Sequence, residues 1–468
     1  MLEGLEITEV FLSNLEFSGR IDSEYYRKHL LFFEKQVSRK KSLQLDEAAN
    51  FLIGPFGSSF DTEKYVENGD YRYVRGQDVK PFILKDGENR FVPQEDFERL
   101  KKYALKEKDI LVSVVGTLGN ACIVQHKDLP AIFSCKSTVI RTSTINPVYV
   151  LTYLNCKYGR ELLIRKERGA IQKGLNLDDL KTIIIPQFSN SFQNIIDKTF
   201  YNAQNKLTDS KSLYHQAKTL LLETLGLKGF EPSKEKINVK GFKKSFLSTG
   251  RLDAEYYQLK YEDYEILIKK FAKGYTNISK EYDILKTVSL KDKREYNYIE
   301  IGDVNVGDGS VIFNKVSKEN LPDNAKYEVQ KGDLLISKVR PNRGAVTIID
   351  FDEPALIVSG AFTVLREKKE SIFSNETLKV LLRTENYKDW LLQFNVGTQY
   401  PVIKDEDILN LPIPKIDKEI QIQITSKLKE SQLLKKHSEQ LLGTAKKAVE
   451  VAIEEGEDEA LKFIHSIN

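Results

Sequence analysis

The chain has 468 residues, 41% apolar and 10% aromatic, with 71 Lys and Arg against 68 Asp and Glu for a formal charge of +3. That is enough for two or three domains with their own cores. No run reaches the roughly eighteen consecutive apolar residues of a membrane span, and the acidic start lacks a signal peptide, so the cytoplasm is the expected compartment and no membrane partner is indicated. So small a net charge neither announces nor forbids nucleic-acid binding, which depends on local clustering.

Metal and disulfide chemistry find no support. Cys122, Cys135 and Cys156 are odd in number and lack a C-x-x-C pair,. His29, His126, His215, His437 and His465 are scattered, none in a metal spacing,. No cofactor and no metal is expected on this chain.

In chain order, the first recurring stretch is Gly19-Arg20-Ile21-Asp22-Ser23-Glu24-Tyr25-Tyr26. It returns as Gly250-Arg251-Leu252-Asp253-Ala254-Glu255-Tyr256-Tyr257, 250 − 19 = 231 positions later. Tyr73–Val79 returns as Tyr298–Val304, and Lys108-Asp109-Ile110-Leu111-Val112-Ser113 as Gly332-Asp333-Leu334-Leu335-Ile336-Ser337. Leu180–Pro186 aligns with Ile408–Pro414, and Gln193 with Gln421, at 414 − 186 = 228. Constant order and a nearly constant offset mark two copies of one unit.

Each copy has the same expected plan. Short strands cover Tyr71–Val74, Ile110–Val114 and Ala121–Gln125 in the first, and Tyr298–Ile301, Leu334–Lys338 and Ala345–Ile349 in the second. A helix follows, Pro147–Arg168 or Asn375–Asn395, and then a last strand ending in Pro186 or Pro414. A long helix over about 191–225 closes the first copy, roughly 50 Å at about 1.5 Å per residue, with Gly226 as its stop. Its seam is Ile196, Phe200, Ala203, Leu207, Ser210, Tyr214, Ala217 and Leu221, the spacing of a coiled-coil stripe. The second long helix, about 418–453, keeps the phase with Ile424, Leu428, Ser431, Lys435, Ser438, Leu442, Ala445 and Val449. The two are expected to pair antiparallel, with a globular head at each end. Packing of each helix on its own head alone is the alternative. The acidic block Glu454–Glu459 reads as solvated.

No catalytic signature survives inspection. Gly169–Gly174 has phosphate-loop glycine spacing but Leu175 follows,, and no nucleotide fingerprint follows a strand. Two similar, non-identical modules suit a ligand with two separated elements, and double-stranded DNA offers readable sites about 34 Å apart per turn. The preferred reading loop is Lys338-Val339-Arg340-Pro341-Asn342-Arg343, where arginine can bridge guanine and lysine can hold phosphate. The equivalent Val114–Asn120 is uncharged, so Arg72, Arg75, Gln77 and Lys136 are the first copy's candidates. The turns containing Gln172 and Lys173 after Gly169, and Gln399 and Tyr400 after Gly397, offer backbone amides plus a glutamine to phosphate or an adenine edge. A solvated surface residue or a structural turn is the alternative at each of these positions.

These residues resemble the specificity subunits of type I restriction–modification systems. The carrying motifs are Gly54-Pro55-Phe56-Gly57-Ser58, then Lys108–Ser113 with Gly116-Thr117-Leu118-Gly119. In the second half they are Gly332–Ser337 with Val339-Arg340-Pro341, then Gly397-Thr398-Gln399, and in each copy a proline, Pro186 or Pro414, seven residues before a glutamine. The resemblance implies an α+β fold with two tandem target-recognition domains, each followed by a long helix, the helices forming an antiparallel coiled-coil spacer with pseudo-two-fold symmetry. The implied boundaries are 1–188 and 246–415 for the domains, 189–228 and 416–455 for the helices, 229–245 for a connector and 456–468 for a tail. It further implies a non-catalytic DNA-recognition subunit reading a bipartite asymmetric site and docking two methyltransferase subunits. Those would carry S-adenosylmethionine for adenine methylation, alongside restriction and translocase subunits. One departure is that Asp283–Val288 occupies the slot of Gly54–Ser58 in the second copy. Alternatives are the specificity chain of a system that cuts both sides of its site, a coiled-coil scaffold with two protein-binding heads, and an enzyme whose site carries no recognisable motif.

Overall fold

Two short strands, Ile110–Ser113 and Leu334–Ser337, are buried at every residue and stand at the centre of two compact units. A computed structural model describes residues 6–467 except 56–58, 60, 67, 88, 170 and 288–292. One unit comprises 1–207 with 436–468, the other 208–435. Phe56, Gly57, Ser58, Ala170 and Val288 of the sequence motifs lie outside the described residues.

Inside the first unit, Ile110–Ser113 pairs antiparallel with Ser137–Thr142 and Ala121–Ile123, and Ala49–Ile53 edges the sheet. Inside the second, Leu334–Ser337 pairs antiparallel with Phe362–Glu367 and Val346–Ile348, with Tyr282–Ile284 at the edge. Each unit adds a further sheet with one parallel pairing, three-stranded with Tyr71–Val74 beside Ala131–Phe133 in the first and four-stranded with Glu295–Ile299 beside Leu356–Ser359 in the second. Each also has a two-stranded ribbon, Ser42–Gln44 with Ile184–Pro186 and Tyr275–Asn277 with Pro412–Pro414. A strand buried on both faces has no polar side to alternate, which is why these central runs read as continuous apolar stretches.

The recurring motifs are structural ties. Asp109 is buried and takes the Arg141 guanidinium through both oxygens at 2.7 Å; Asp333 takes Arg366 the same way at 2.8 Å. Arg20 grips Asp22 at 2.6 Å and donates to the Glu167 carbonyl at 3.0 Å. Arg251 grips Asp253 at 2.8 and 2.6 Å and donates to the Asn395 carbonyl at 2.7 Å. Thus the Gly-Arg-x-Asp segment is stapled to the turn after the helical layer in both units. The amide of Gln193 accepts from Asn146 N at 3.1 Å and donates to the Phe188 carbonyl at 2.9 Å. Gln421 does likewise with Ser374 N at 2.8 Å and the Ile416 carbonyl at 3.0 Å. This explains the glutamine seven residues after each proline.

The long helices are Asn190–Thr224 and Lys418–Glu454, and Gly226, at φ 67°, terminates the first. The expected seam is the buried stripe: Ile196, Phe200, Ala203, Ser210, Ala217 and Leu221 are all buried, as are Ile424, Leu428, Ser431, Ser438, Ala445 and Val449. Within the second unit the helices run antiparallel, Ser210 meeting Ser431 and Gln216 meeting Lys427. Within the first, Ile196 and Phe200 share a core with Ala445, Ala448 and Val449.

Three expectations need correction. The helix over Pro147–Arg168 is two, Pro147–Asn155 and Lys157–Ile164, because Cys156 is extended. Gly159 permits the junction, since a Cβ there would meet the Tyr153 carbonyl oxygen at 2.0 Å. Its counterpart divides at Thr384, whose hydroxyl caps Glu385–Trp390. The acidic block does not simply face solvent: Glu454 accepts from the Tyr158 hydroxyl at 2.8 Å and Glu457 from Ser189 N at 2.9 Å. Residues expected as a tail form helix Glu457–Ile467, which buries Ala460 and Ile464 in the first unit's core.

Candidate nucleic-acid interface

In the second unit, the reading loop leaves Leu334–Ser337 and returns into Val346–Ile348. Lys338 is the middle of three adjacent backbone segments: its N–H donates to the Ala361 carbonyl at 2.9 Å, and its carbonyl accepts from Ile403 N at 3.0 Å. Val339 bridges Val402, and Arg340 N donates to the Pro401 carbonyl at 2.7 Å. Two loops some sixty residues apart in sequence are thereby joined edge to edge.

The second of these loops is closed at its base. The Asn395 amide oxygen accepts from Gly397 N at 2.8 Å and Val402 N at 2.9 Å, and Val396 N reaches the Val402 carbonyl at 2.8 Å. A Cβ on Gly397 would sit 2.1 Å from the Tyr400 carbonyl oxygen, so only glycine fits,. Gln399 and Tyr400 are exposed at the tip, and the Arg340 guanidinium lies 5.3 Å from the Tyr400 ring centre. This is a cation–π arrangement.

Arg340, Asn342, Arg343, Gln399 and Tyr400 therefore share one edge, all exposed. Among the described residues no carboxylate pairs with Arg340 or Arg343, leaving two uncompensated cations. Arg340 holds φ 50°, ψ 54°, a left-handed conformation that costs about 1 kcal/mol or more for a residue with a Cβ,. Lys338 differs from its neighbours. Its side chain is only 16% exposed and pairs with Asp405 at 3.1 Å, so its charge is already matched.

The first unit has the same backbone construction with other side chains. Val114 N donates to the Lys136 carbonyl at 2.9 Å, Leu175 N donates to the Val114 carbonyl at 3.0 Å, and Val115 bridges Gly174. A Cβ on Gly169 would meet the Gln172 carbonyl oxygen at 2.4 Å, as at Gly397. Where the second unit has Arg340 in the left-handed region, the first has Gly116 at φ 87°. Gln172 and Lys173 are exposed, with Lys173 paired to Glu167.

Arg75, Gln77 and Lys136 also lie together. Arg75 chelates Asp78 at 3.0 and 2.8 Å, and the Gln77 amide oxygen, turned toward the guanidinium, accepts from it at 3.1 Å. Gly76 lets Lys136 approach, since a Cβ would be 2.8 Å from that of Lys136. Gln77 and Lys136 are exposed. Arg72 is a correction. It is buried in Tyr71–Val74, pairs with Asp128 at 2.8 Å and donates to the Lys85 carbonyl at 2.7 Å, so it cannot reach a ligand.

Sequence reasoning missed the residues that hold these loops. Arg160 donates to the Gly119 carbonyl and the Asn120 amide oxygen, both at 3.3 Å. Arg383, buried in the second unit, donates to the Gly344 carbonyl at 2.5 Å. Arg160 lies in helix Lys157–Ile164 and Arg383 just past the end of Asn375–Leu382, and the apolar pattern of those helices was the stronger signal.

Residues 269–442 match the family described as Type I restriction modification DNA specificity domain. The chain is similar to the Type I restriction enzyme HindI specificity subunit of Haemophilus influenzae, 32% identical over 31% of this chain and 33% of that one. It is also similar to the Type I restriction enzyme MjaVIII specificity subunit of Methanocaldococcus jannaschii, 25% identical over 38% of this chain and 46% of that one. The matched stretches thus span less than half the length of either relative. A solved S subunit of a type I restriction-modification system from M. genitalium is 13% identical, with 87% of this chain and 94% of that one covered at a TM-score of 0.42. The family match, over residues 269–442, contains both joined loops of the second unit.

Proposed function

We propose that the chain is the DNA-recognition subunit of a type I restriction–modification complex and reads a split, asymmetric duplex site. The observation that carries this is the joined edge of the second unit, where two arginines with no carboxylate partner among the described residues, an asparagine, a glutamine and a tyrosine sit on a backbone frame that the first unit repeats with a different residue set. Equal frames with unequal side chains suit two unlike half-sites. Arginine supplies a fork of two donors for guanine, and glutamine one donor and one acceptor for adenine, in the major groove, and the remaining polar groups suit phosphate.

In this reading the heads correspond to 1–188 and 246–415, and the paired long helices act as spacer and as docking surface for two methyltransferase subunits. S-adenosylmethionine binding, methylation and DNA cutting belong to the partner subunits, and the chain works in the cytoplasm without a cofactor or catalytic site of its own. Among the described residues no helix is long and apolar enough to cross a membrane, and no metal-binding cluster occurs.

Modified-base sequencing of the host genome, with this gene intact, deleted, or carrying Arg340→Ala and Arg343→Ala, tests the proposal. The expected result is a split motif that vanishes on deletion and changes in one half only in the double variant. A methylation pattern indifferent to the deletion overturns it.

A further inference from the structure

Four positions differ together between the copies. At the 228-residue offset, the second unit has Lys379, Arg383 and Lys435 where the first has Leu151, Asn155 and Leu207, and it uses Tyr214 where the first has Leu442. The three cations and Tyr214 converge. Arg383, 6% exposed, donates from Nε to the Tyr214 hydroxyl at 2.8 Å, from Nη1 to the Gly344 carbonyl at 2.5 Å and from Nη2 to the Val306 carbonyl at 2.9 Å. Lys379, one turn earlier and 4% exposed, donates to the Gly309 carbonyl at 2.8 Å. Lys435, on the second long helix, pairs with Asp308 at 2.5 Å and donates to Ser310 at 2.8 Å.

The loop 304–311 is thus a strap. It is held by the second long helix through Lys435 and by the helical layer through Lys379 and Arg383. The same guanidinium holds the end of the reading loop at Gly344 and the first long helix at Tyr214. Gly309 is fitted to this strap, since a Cβ there would meet the Val346 carbonyl oxygen at 2.6 Å. Burying cations costs several kcal/mol unless they are fully bonded, and leucine packing is usually at least as stable. The first unit fills three of the four positions with leucine and keeps only the neutral Asn155, so packing on this frame does not require the cations.

We infer that Arg383, tied to Tyr214, is a positioning residue for base discrimination by the second unit, fixing the reading loop 338–344 against the first long helix. This rests on the proposed DNA-reading function. One hydrogen bond from a long helix, through a rigid planar fork, sets the register of Arg340 and Arg343 toward the bases. The first unit has only Asn155 at the Arg383 position, whose amide donates to the Ala121 carbonyl at 3.0 Å and to the Leu151 carbonyl at 2.9 Å.

Tyr214→Phe tests it, because it deletes one hydroxyl and keeps the ring; Arg383→Lys is the second variant. The intact chain is assayed against the duplex motif found by genome methylation and its single-base variants. For Tyr214→Phe we expect discrimination in the half-site read by the second unit to fall about three- to tenfold. Discrimination in the other half should remain near wild type while the thermal midpoint falls modestly, because the buried Nε of Arg383 loses its partner,, and Arg383→Lys should lose more in the same half. Equal loss in both halves, or unchanged discrimination in Tyr214→Phe, overturns the positioning role alone. A wild-type chain without sequence preference overturns the DNA-reading function and this role with it.

Discussion

Ser210 and Ser431 exchange hydrogen bonds across the two long helices: each hydroxyl donates to the other's backbone carbonyl at 2.7 Å, with the oxygens 3.1 Å apart. Such reciprocity needs small side chains and close backbones. Removing one donor forfeits a bond worth about 1 kcal/mol, and Ser210→Ala and Ser431→Ala should each lower stability by about that much. Because the two bonds form one network, the double variant should lose less than the sum. Ser431→Leu should cost about 1 to 3 kcal/mol through overpacking. Urea midpoints of the four chains check this.

Lys108 occupies a left-handed conformation at φ 68° where the second copy has Gly332 at φ 95°. A side chain there costs about 1 to 2 kcal/mol. Lys108→Gly is expected to raise the unfolding free energy by about 1 kcal/mol, and Gly332→Lys to lower it comparably. An unchanged midpoint in both chains contradicts the strain argument.

Arg340 carries the same strain at an exposed edge, where the first copy has Gly116. Arg340→Gly should therefore stabilise the chain while weakening it as a reader. The expected signature is a higher thermal midpoint with discrimination at one base lowered at least about fivefold, since a good bidentate base contact is worth about 1 to 3 kcal/mol. Loss of both stability and discrimination would show that the strained geometry is not what the arginine costs.

Burial, and then the nearby Arg383, push the Lys379 ammonium down to about 8 from its ordinary 10.5; Lys435 adds to this, and Asp308 and Asp350 oppose it. An unfolded chain keeps that proton until about 10.5, so between these values the unfolded state binds more protons and folding is favoured as pH rises. At neutral pH the charged lysine is a cost. Lys379→Met should remove this slope, so wild type should gain on the variant between pH 8 and pH 10 in paired urea titrations. A constant gap between the two chains would exclude Lys379 as the titrating group.

Much of this was legible in the sequence for identifiable reasons. The seam from Ile196 to Leu221 recurs at a fixed helical period, and period is local information. The two reading-loop candidates, 338–343 and 399–400, were found separately because each follows a punctuating residue. That Arg340 and Tyr400 touch depends on the Val339–Val402 bridge, which no local pattern encodes. Arg72 looked like a reader because its partner Asp128 lies 56 positions away. Arg383 was hidden for the same reason, its contact with Tyr214 spanning 169 positions. The block Glu454–Glu459 misled because composition alone cannot tell a solvated run from a helix start that receives Ser189.

The first unit closes with residues 436–468, which places its completion late in synthesis. Ile196 and Phe200 emerge from the ribosome well before Ala445, Val449, Ala460 and Ile464, the side chains that finish their core. The intervening segment, 208–435, is 435 − 208 + 1 = 228 residues. At about 5 to 20 residues per second its translation takes roughly 11 to 46 seconds. For that interval the first unit's core, already joined by Ile196 and Phe200, lacks the cover that Ala445, Val449, Ala460 and Ile464 supply.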